Sequence, residues 1–367
     1  MHTKLTNYRG CLLGLAVGDA MGYTVDDRNW DEIRRDYGPN GLLGYDLVNG
    51  YADVTSHTQL AAFACNGLLL GLTQGQMRGS MAPYIRYLRL AEREWAAGQR
   101  YGAPTEKIFC WIYGDKTLRG RRCMDTRMLD TLNRDRLGTP EEPRNRFNTL
   151  GAATVGVSVG LFYHPDRLPH RELLRLGAEA VALTHGSPQA FLTGAALAHI
   201  ISRIVWDGAD RLPDLFDETL EALDRVFARE YPQGVQELRA LAARAMALAQ
   251  DESVHQADAM EELGCGTMPE VLAGAMYACL TCRGSFDAAM ITAVNHSGRS
   301  AAVGALTGAI LGAQMGDETL PDFYLESLEP VEVLRELADD LYQGCPMDRT
   351  SCMYDDDWAR KYIHCGR

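Results

Sequence analysis

Apolar residues recur every three to four positions along most of the chain, which is the spacing of a buried helix face. Clear examples are RELLRLGAEAVALTH from Arg171 and PEVLAGAMYACLTC from Pro269. Turn signals such as GPNG from Gly38 and GTPEEP from Gly138 separate stretches of helical length. No alternating run is long enough to anchor a sheet. The pattern predicts an all-α fold, a single compact multi-helix domain built from many short helices.

The domain is predicted to span residues 1–320, with residues 321–367 forming a helical extension packed on the same domain. No low-complexity linker or tandem repeat divides the chain, which favours one folded unit over two tethered ones. Residues 92–148 are charged and irregular, so the helical pattern is weakest there.

Glycines repeat every fourth residue in two of the predicted helices. LLGLAVGDAMG places Gly14, Gly18 and Gly22 on one helix face, and GALTGAILGAQMG from Gly304 repeats the same interval. A glycine costs about 1 kcal/mol relative to alanine inside a helix, so something must offset that cost. Two explanations are compatible: the helix backbones approach closely along these faces, or the small residues leave room for a ligand at a shared pocket.

Charge and apolar content indicate a protein without a nucleic-acid or membrane partner, and ten irregularly spaced cysteines, interpreted as reduced thiols, indicate a cytoplasmic one. Lys and Arg number 36 against 49 Asp and Glu, a formal net charge of -13, which excludes a generally basic nucleic-acid binder. The uncharged runs 54–77 and 180–202 reach the ~20 residues of a membrane helix. Their histidine, glutamine and asparagine content fits buried helices of a soluble core better.

Four segments, taken in order, carry a resemblance to a known family. They are GCLLGLAVGDAMGYTVD from Gly10, TSHTQLA from Thr55, THGSPQAFLTGAALAHII from Thr184 and AVNHSGRSAAVGALTGAILGAQMG from Ala293. Together they resemble the ADP-ribosylglycohydrolase family, also called the dinitrogenase-reductase-activating glycohydrolase family. The resemblance covers residues 10–316. It implies an all-α fold and an enzyme that removes ADP-ribose from proteins or small acceptors with two magnesium ions.

The residues that would hold those two ions differ in this chain. The family supplies one aspartate pair from an early SDDT motif and a second pair from a late GGDxDT motif. Ser56, His57, Arg299 and Ala301 stand at the four carboxylate positions. Because divalent cations of this kind need oxygen ligands, we expect no magnesium pair and no other metal. The resemblance then implies a pseudoenzyme that binds ADP-ribose or a related polar ligand.

Candidate ligand-binding residues come from the positions that match the family motifs. A guanidinium can clamp phosphate or ribose oxygens without a metal, so Arg299 either contacts the ligand or reaches solvent at a helix start. Asp19 matches the family's GDA motif and is expected to fix the local backbone. The remaining candidates are Asp26, Thr55, Ser56, His57, Gly151, His185, His296, Ser297, Gly298 and Ser300.

An active, metal-independent hydrolase of an ADP-ribosyl or other N-glycosidic substrate is the alternative. Asp26 and His57 would be its catalytic acid and base, together with His296, since histidine is suited to proton transfer near neutral pH. Asp53 would orient the His57 ring if that segment is helical. A purely structural protein is the third possibility and predicts a filled cleft.

Overall fold

The computed structural model describes residues 4–47, 49–80, 83–101, 107–122, 125–282, 284–350 and 354–365. These residues form α-helices joined by turns and by longer irregular segments such as 133–154, and no strand is present within the ranges described. An isolated parallel β-bridge joins Ala52 and Leu328. The all-α fold predicted from the sequence is confirmed.

The helices follow one another in chain order with two short 3-10 helices, Trp111–Gly114 and Asp317–Thr319, between them. The first eight are α1 (Leu5–Tyr23), α2 (Trp30–Tyr37), α3 (Ser56–Arg78), α4 (Tyr84–Tyr101), α5 (Arg127–Leu132), α6 (Val155–Phe162), α7 (His170–Ala182) and α8 (Pro188–Asp207). The others are α9 (Leu212–Phe227), α10 (Pro232–Leu248), α11 (Gln256–Leu263), α12 (Met268–Thr281), α13 (Phe286–Val294), α14 (Ser300–Met315), α15 (Asp322–Ser327), α16 (Val331–Gln343) and α17 (Asp356–Tyr362).

Helices α1 and α14 pack backbone against backbone along their glycine faces. A Cβ atom at Gly14 would lie 2.2 Å from the carbonyl oxygen of Gly308, and one at Gly18 would lie 1.9 Å from that of Gly304. The close approach predicted from the glycine spacing is therefore confirmed. Because residue numbers fall along α14 as they rise along α1, the helices are antiparallel, and the end of α1 meets the start of α14.

The two long uncharged runs form the central helices α3 and α8, which are buried over most of their length. Helices buried on nearly all sides belong to the centre of a large α-helical core, as their composition predicted. No helix in the described ranges combines the length and apolar character needed to cross a membrane.

The C-terminal helices contact the first part of the chain. Arg9 on α1 forms a bidentate ion pair with Asp339 on α16, at 2.6 and 2.7 Å. The Trp358 ring nitrogen on α17 donates to the Thr73 hydroxyl on α3 at 2.9 Å. The boundary at residue 320 between domain and extension stays a prediction.

Candidate functional site

A cavity of about 520 Å³ opens where the end of α1 and the starts of α3, α5 and α14 converge. It is lined by Asp26, Thr55, Ser56, His57, Asp125, Thr126, Arg127, Met128, Thr149, Leu150, Gly151, Gly266, Arg299 and Ala301. The family's four carboxylate positions therefore line the same cavity. They are occupied here by Ser56 and His57 at the start of α3 and by Arg299 and Ala301 at the start of α14.

Arg299 meets two carboxylates here because the antiparallel pairing of α1 and α14 brings their ends together. Its Nη2 lies 3.2 Å from Oδ2 of Asp26, and its Nη1 donates to Oδ1 of Asp27. The backbone N–H of Ala301 donates to the other Asp26 oxygen at 3.2 Å. The Arg299 side chain is 35% exposed, so it borders the cavity as a partly buried, ion-paired cation.

The Asp26 carboxyl is almost inaccessible, with a side chain 6% exposed. Burial raises its pKa above the ordinary value, because a charged carboxylate loses solvation. Arg299, the Ala301 N–H and His57 oppose that rise by favouring the charged form. The ion pair with Arg299 is thus part of what keeps a buried carboxylate compatible with the fold.

Asp19 fixes the start of α3. Its two oxygens accept four hydrogen bonds, from the backbone N–H and hydroxyl of Thr55 and from the same groups of Thr58, at 2.6 to 3.1 Å. The Thr55 oxygen also accepts from the His57 N–H at 3.2 Å, as the N-cap of the helix. Asp19 thus has the backbone-fixing geometry expected of it, and it holds Ser56 and His57 at the cavity wall.

Two polar groups of this wall have unused hydrogen-bonding capacity. Nδ1 of His57 is buried and has no partner. The Ser56 hydroxyl has no intramolecular hydrogen bond within the described ranges. Burial, assisted by Arg299, lowers the pKa of His57, although Asp19 and Asp26 act in the opposite direction. The ring is therefore held in its neutral form at pH 7.

The opposite wall is an ordered polar network. Arg127 forms a bidentate pair with Asp125, at 2.6 and 2.8 Å, and lowers the pKa of that carboxyl to about 2. The Thr149 hydroxyl donates to Asp125 at 2.9 Å and lies 3.1 Å from Nε2 of His185. Since a hydroxyl has one proton, Nε2 of His185 is the donor in that second bond. Burial lowers the pKa of His185 to about 4, which keeps it neutral.

His185 does not line the cavity but positions Thr149, which does. Gly151 lines it, and a Cβ there would lie 2.7 Å from the Met128 sulfur, so a larger residue would require the Met128 side chain to shift. The structure therefore brings Asp26, Thr55, Ser56, His57, Gly151 and Arg299 around one space, with His185 one hydrogen bond away.

Four other predicted ligand contacts lie outside the cavity lining. Both ring nitrogens of His296 bond to the backbone, Nε2 with the Ala293 carbonyl at 3.0 Å and Nδ1 with the Gly298 N–H at 2.9 Å. The Ser297 hydroxyl accepts from the Trp30 N–H at 2.8 Å. Gly298 packs against Cys265, and the Ser300 hydroxyl is buried. His296 thus shapes the turn before α14 and Ser297 ties that turn to the start of α2, while the Ser300 hydroxyl has no partner within the described ranges.

Asp53 does not orient His57. It lies before α3 begins at Ser56, and its carboxylate forms a bidentate pair with Arg122 at 2.8 and 2.9 Å. The expectation required Asp53 and His57 to lie one turn apart on the same helix, and Asp53 lies outside α3.

Sequence reasoning missed part of the site. Asp27, which pairs with Arg299, follows Asp26 directly and gave no separate signal. Asp125 and Arg127 lie in the irregular segment 92–148 and Thr149 directly follows it, where no periodicity or motif marked them. Gly266 lies in the GCGT stretch before α12, whose glycines were a detectable signal. Within the described ranges, no cluster of three or more His, Cys, Asp or Glu side chains is arranged to hold a metal ion.

Comparisons with known proteins agree with the fold and with the motif order. The family model described as ADP-ribosylglycohydrolase matches residues 1–351. An uncharacterized protein of Archaeoglobus fulgidus is 27% identical over 353 residues, which cover 92% of this chain and 96% of that protein. A solved structure titled ADP-ribosylglycohydrolase-related protein complex is similar in fold, with a TM-score of 0.58 and 22% identity, covering 94% of this chain and 99% of its own. The chain belongs to the ADP-ribosylglycohydrolase family.

Proposed function

We propose that this protein is an ADP-ribosylglycohydrolase-like pseudoenzyme that has lost the dinuclear magnesium site and binds ADP-ribose or a related polar ligand. The observation that carries the proposal is the ion pair between Arg299 and Asp26 at the cavity. It puts a fixed cation where the family resemblance implies a metal-binding carboxylate. The cavity's volume of about 520 Å³ is typical of small-molecule sites and argues against a purely structural role.

The residues around the cavity do not fit a pair of magnesium ions. Magnesium takes octahedral oxygen ligands, usually including carboxylates. Among the described lining residues, the carboxylates are Asp26 and Asp125, and each is paired with an arginine. A magnesium ion next to Arg299 would also be repelled by its guanidinium. No step of the chemistry is therefore assigned to a metal.

The polarity of the cavity suits a hydroxyl-rich ligand such as a ribose. Its charged lining is balanced, with Asp26 and Asp125 against Arg127 and Arg299. The Ser56 hydroxyl lines the cavity, forms no hydrogen bond within the described ranges, and can bond to ligand hydroxyls. The partly exposed Arg299 guanidinium presents further donors to phosphate or ribose oxygens.

The same contacts argue against cleavage of the ligand. The Asp26 side chain is 6% exposed, and its oxygens are engaged by Arg299 and by the Ala301 N–H, so little of the carboxylate faces a water in the cavity. A general base needs hydrogen-bond reach of the proton that it removes. Binding without turnover is the function that this arrangement supports best.

One observation favours a metal-independent hydrolase as the second candidate. Asp26 and His57 line the same cavity, and burial raises the pKa of one while it lowers the pKa of the other. Opposed shifts of neighbouring groups are characteristic of acid and base pairs. In this candidate the neutral ring of His57 would accept the proton.

Calorimetric titration of ADP-ribose, with magnesium and with EDTA, tests the proposal. We expect equal affinity in both conditions and a loss of about tenfold or more in Arg299→Ala, because a charge-assisted hydrogen bond to the ligand is removed. Arg229→Ala, which changes an exposed arginine elsewhere, is the matched control and should bind as the parent protein does.

Three outcomes of this titration would contradict the proposal. They are binding that requires magnesium, unchanged affinity in Arg299→Ala, and no heat in either condition. The samples in EDTA are also assayed for ADP-ribose release from an ADP-ribosylated protein. Release that disappears in His57→Ala would favour the hydrolase instead.

Restoring the four carboxylates is expected to restore magnesium binding. The variant combines Ser56→Asp, His57→Asp, Arg299→Asp and Ala301→Asp, and its crowded negative charges are relieved by the cation. Magnesium at 100 times its Kd should stabilise this variant by roughly 2.7 kcal/mol, seen as a rise in Tm, while the Tm of the parent protein stays constant.

The matched control places asparagine at the same four positions. It has similar side-chain size without charge, so magnesium should leave its Tm unchanged. A parent protein that is stabilised by magnesium as strongly as the aspartate variant would refute the loss of the metal site.

A further inference from the structure

A second cavity, of about 540 Å³, lies beyond the opposite end of α5 and is surrounded by arginines. Its lining residues are Arg86, Arg89, Asp135, Arg136, Leu137 and Arg144. None of them lines the cavity described above. The lining carries four arginines against one aspartate, in a chain whose formal net charge is -13. Positive charge is therefore concentrated here against the trend of the whole molecule.

Two arginines of the lining share one face of α4 with Arg93, which lies outside the lining. Arg86, Arg89 and Arg93 are spaced three and four residues apart, so their side chains lie in a row along the helix. The pKa of Arg89 is lowered, first by burial and then by the charge of Arg93, while Asp135 acts in the opposite direction. The row thus contains a like-charge repulsion that Asp135 offsets only in part.

Backbone carbonyls, which carry no net charge, orient several of the guanidinium groups. Arg89 donates to the Arg134 carbonyl, Arg134 donates to the Arg144 carbonyl at 2.7 Å, and Arg144 donates to the Leu137 carbonyl at 3.0 Å. These bonds fix the side chains without neutralising them. Within the described ranges Arg144 forms an ion pair with Glu142 at 3.3 Å, and because the Glu142 side chain is 72% exposed this pair contributes little.

Two arginines of the lining carry no ion pair in the ranges that the structure describes. Arg86 and Arg136 are both exposed, and neither forms a side-chain hydrogen bond there. Their guanidinium groups present free planar donor forks at the rim, which is the geometry that pairs with phosphate oxygens.

We propose that this arginine cavity is a binding site for an oligophosphate anion, separate from the cleft at Arg299. The anion would be held by Arg86 and Arg136 at the rim and by the carbonyl-oriented Arg89 and Arg144 inside. It would relieve the repulsion along α4, since several phosphate oxygens can meet several guanidinium groups at once. The site does not depend on what the other cleft binds.

Calorimetric titration with tripolyphosphate at low ionic strength tests the site. We expect binding that weakens as salt is raised, because the contacts are between exposed charges. The double variant Arg86→Glu with Arg136→Glu should lose about tenfold or more in affinity. Both side chains are exposed and unpaired, so the variant should keep the Tm of the parent protein.

The matched control is Arg171→Glu with Arg229→Glu, which makes the same change in net charge at exposed arginines elsewhere. It should lower the affinity less than twofold. An equal loss in the control would overturn the proposal, as would no binding at low salt.

A single-stranded oligonucleotide tests the class of ligand. If it binds more tightly than tripolyphosphate and loses the same affinity in the double variant, the ligand is a nucleic-acid backbone and the proposal of a small anion is wrong. A cleft variant, His57→Ala, should bind tripolyphosphate unchanged, and a loss there would mean that the anion occupies the cleft.

Discussion

Gly308→Ala is expected to lower the free energy of unfolding by about 3 kcal/mol or more, because the new methyl group meets backbone rather than side chain. Its Cβ would lie 1.9 Å from the Gly14 carbonyl oxygen and 2.5 Å from the carbonyl carbon. A neighbouring side chain could rotate away from the new methyl group, but the Gly14 backbone cannot, so α1 and α14 would have to separate. Urea unfolding followed by circular dichroism measures the loss.

Gly98→Ala is the matched control for that substitution. Gly98 also lies inside a helix, α4, but its nearest neighbour would be the Tyr113 hydroxyl at 3.2 Å, at the end of a side chain that can shift. Alanine is favoured over glycine in a helix by about 1 kcal/mol, so the control should be neutral or slightly stabilising. Equal stability of the two variants would contradict the backbone contact between α1 and α14.

The glycine spacing could be read from the sequence because it is a local property of each helix. Four-residue intervals put Gly14 and Gly18 on one face, and only backbone-to-backbone packing or a ligand offsets the helix cost of so many glycines. The pairing partner was not local information. The same interval was visible in the segment of α14, but only the structure shows that α14 packs antiparallel on α1 and so places Asp26 beside Arg299.

The charge pairs of the cavity could not be predicted, since they depend on which loops meet. Arg299 was open to two interpretations, ligand contact or solvent, whereas the structure pairs it with Asp26 and with Asp27. The wall formed by Asp125 and Arg127 comes from a segment with little regular structure, so neither period nor motif marked it. His296 resembled a catalytic candidate by residue type, but the turn before α14 uses both of its nitrogens.

The geometry suggests why the motif changes occur together. Replacing a metal-binding carboxylate by Arg299 places a cation beside the buried Asp26, which then needs no metal to balance its charge. Ser56 and His57, at the start of α3, are uncharged at pH 7. They therefore add no further negative charge for Arg299 to balance. In the proposed metal-free site, the ion pair of Arg299 with Asp26 supplies the charge balance, and the lining stays polar.

A buried glutamate in α4 is expected to make the protein less stable as pH rises. Glu92 is 1% exposed, and neither of its carboxylate oxygens has a partner. Burial raises its pKa from 4.5 to about 8. The folded state therefore holds a proton that the unfolded chain releases. The contribution of Glu92 to the free energy of unfolding is thus highest below pH 4.5 and falls as pH rises toward 8. Between pH 5 and pH 8 the loss from this group should be about 3 kcal/mol.

Glu92→Gln removes the ionisation while keeping the size and polarity of the side chain. Urea unfolding from pH 5 to pH 8 should show the parent protein losing about 3 kcal/mol more than this variant, so that the variant is the more stable protein at pH 8. Glu94, whose pKa burial raises to about 7, is present in both proteins and cancels in the difference. Glu252→Gln, at an exposed position, is the control and should follow the parent profile. Parallel profiles for the parent and Glu92→Gln would mean that Glu92 reaches solvent or a partner when it ionises, and that α4 opens there at little cost.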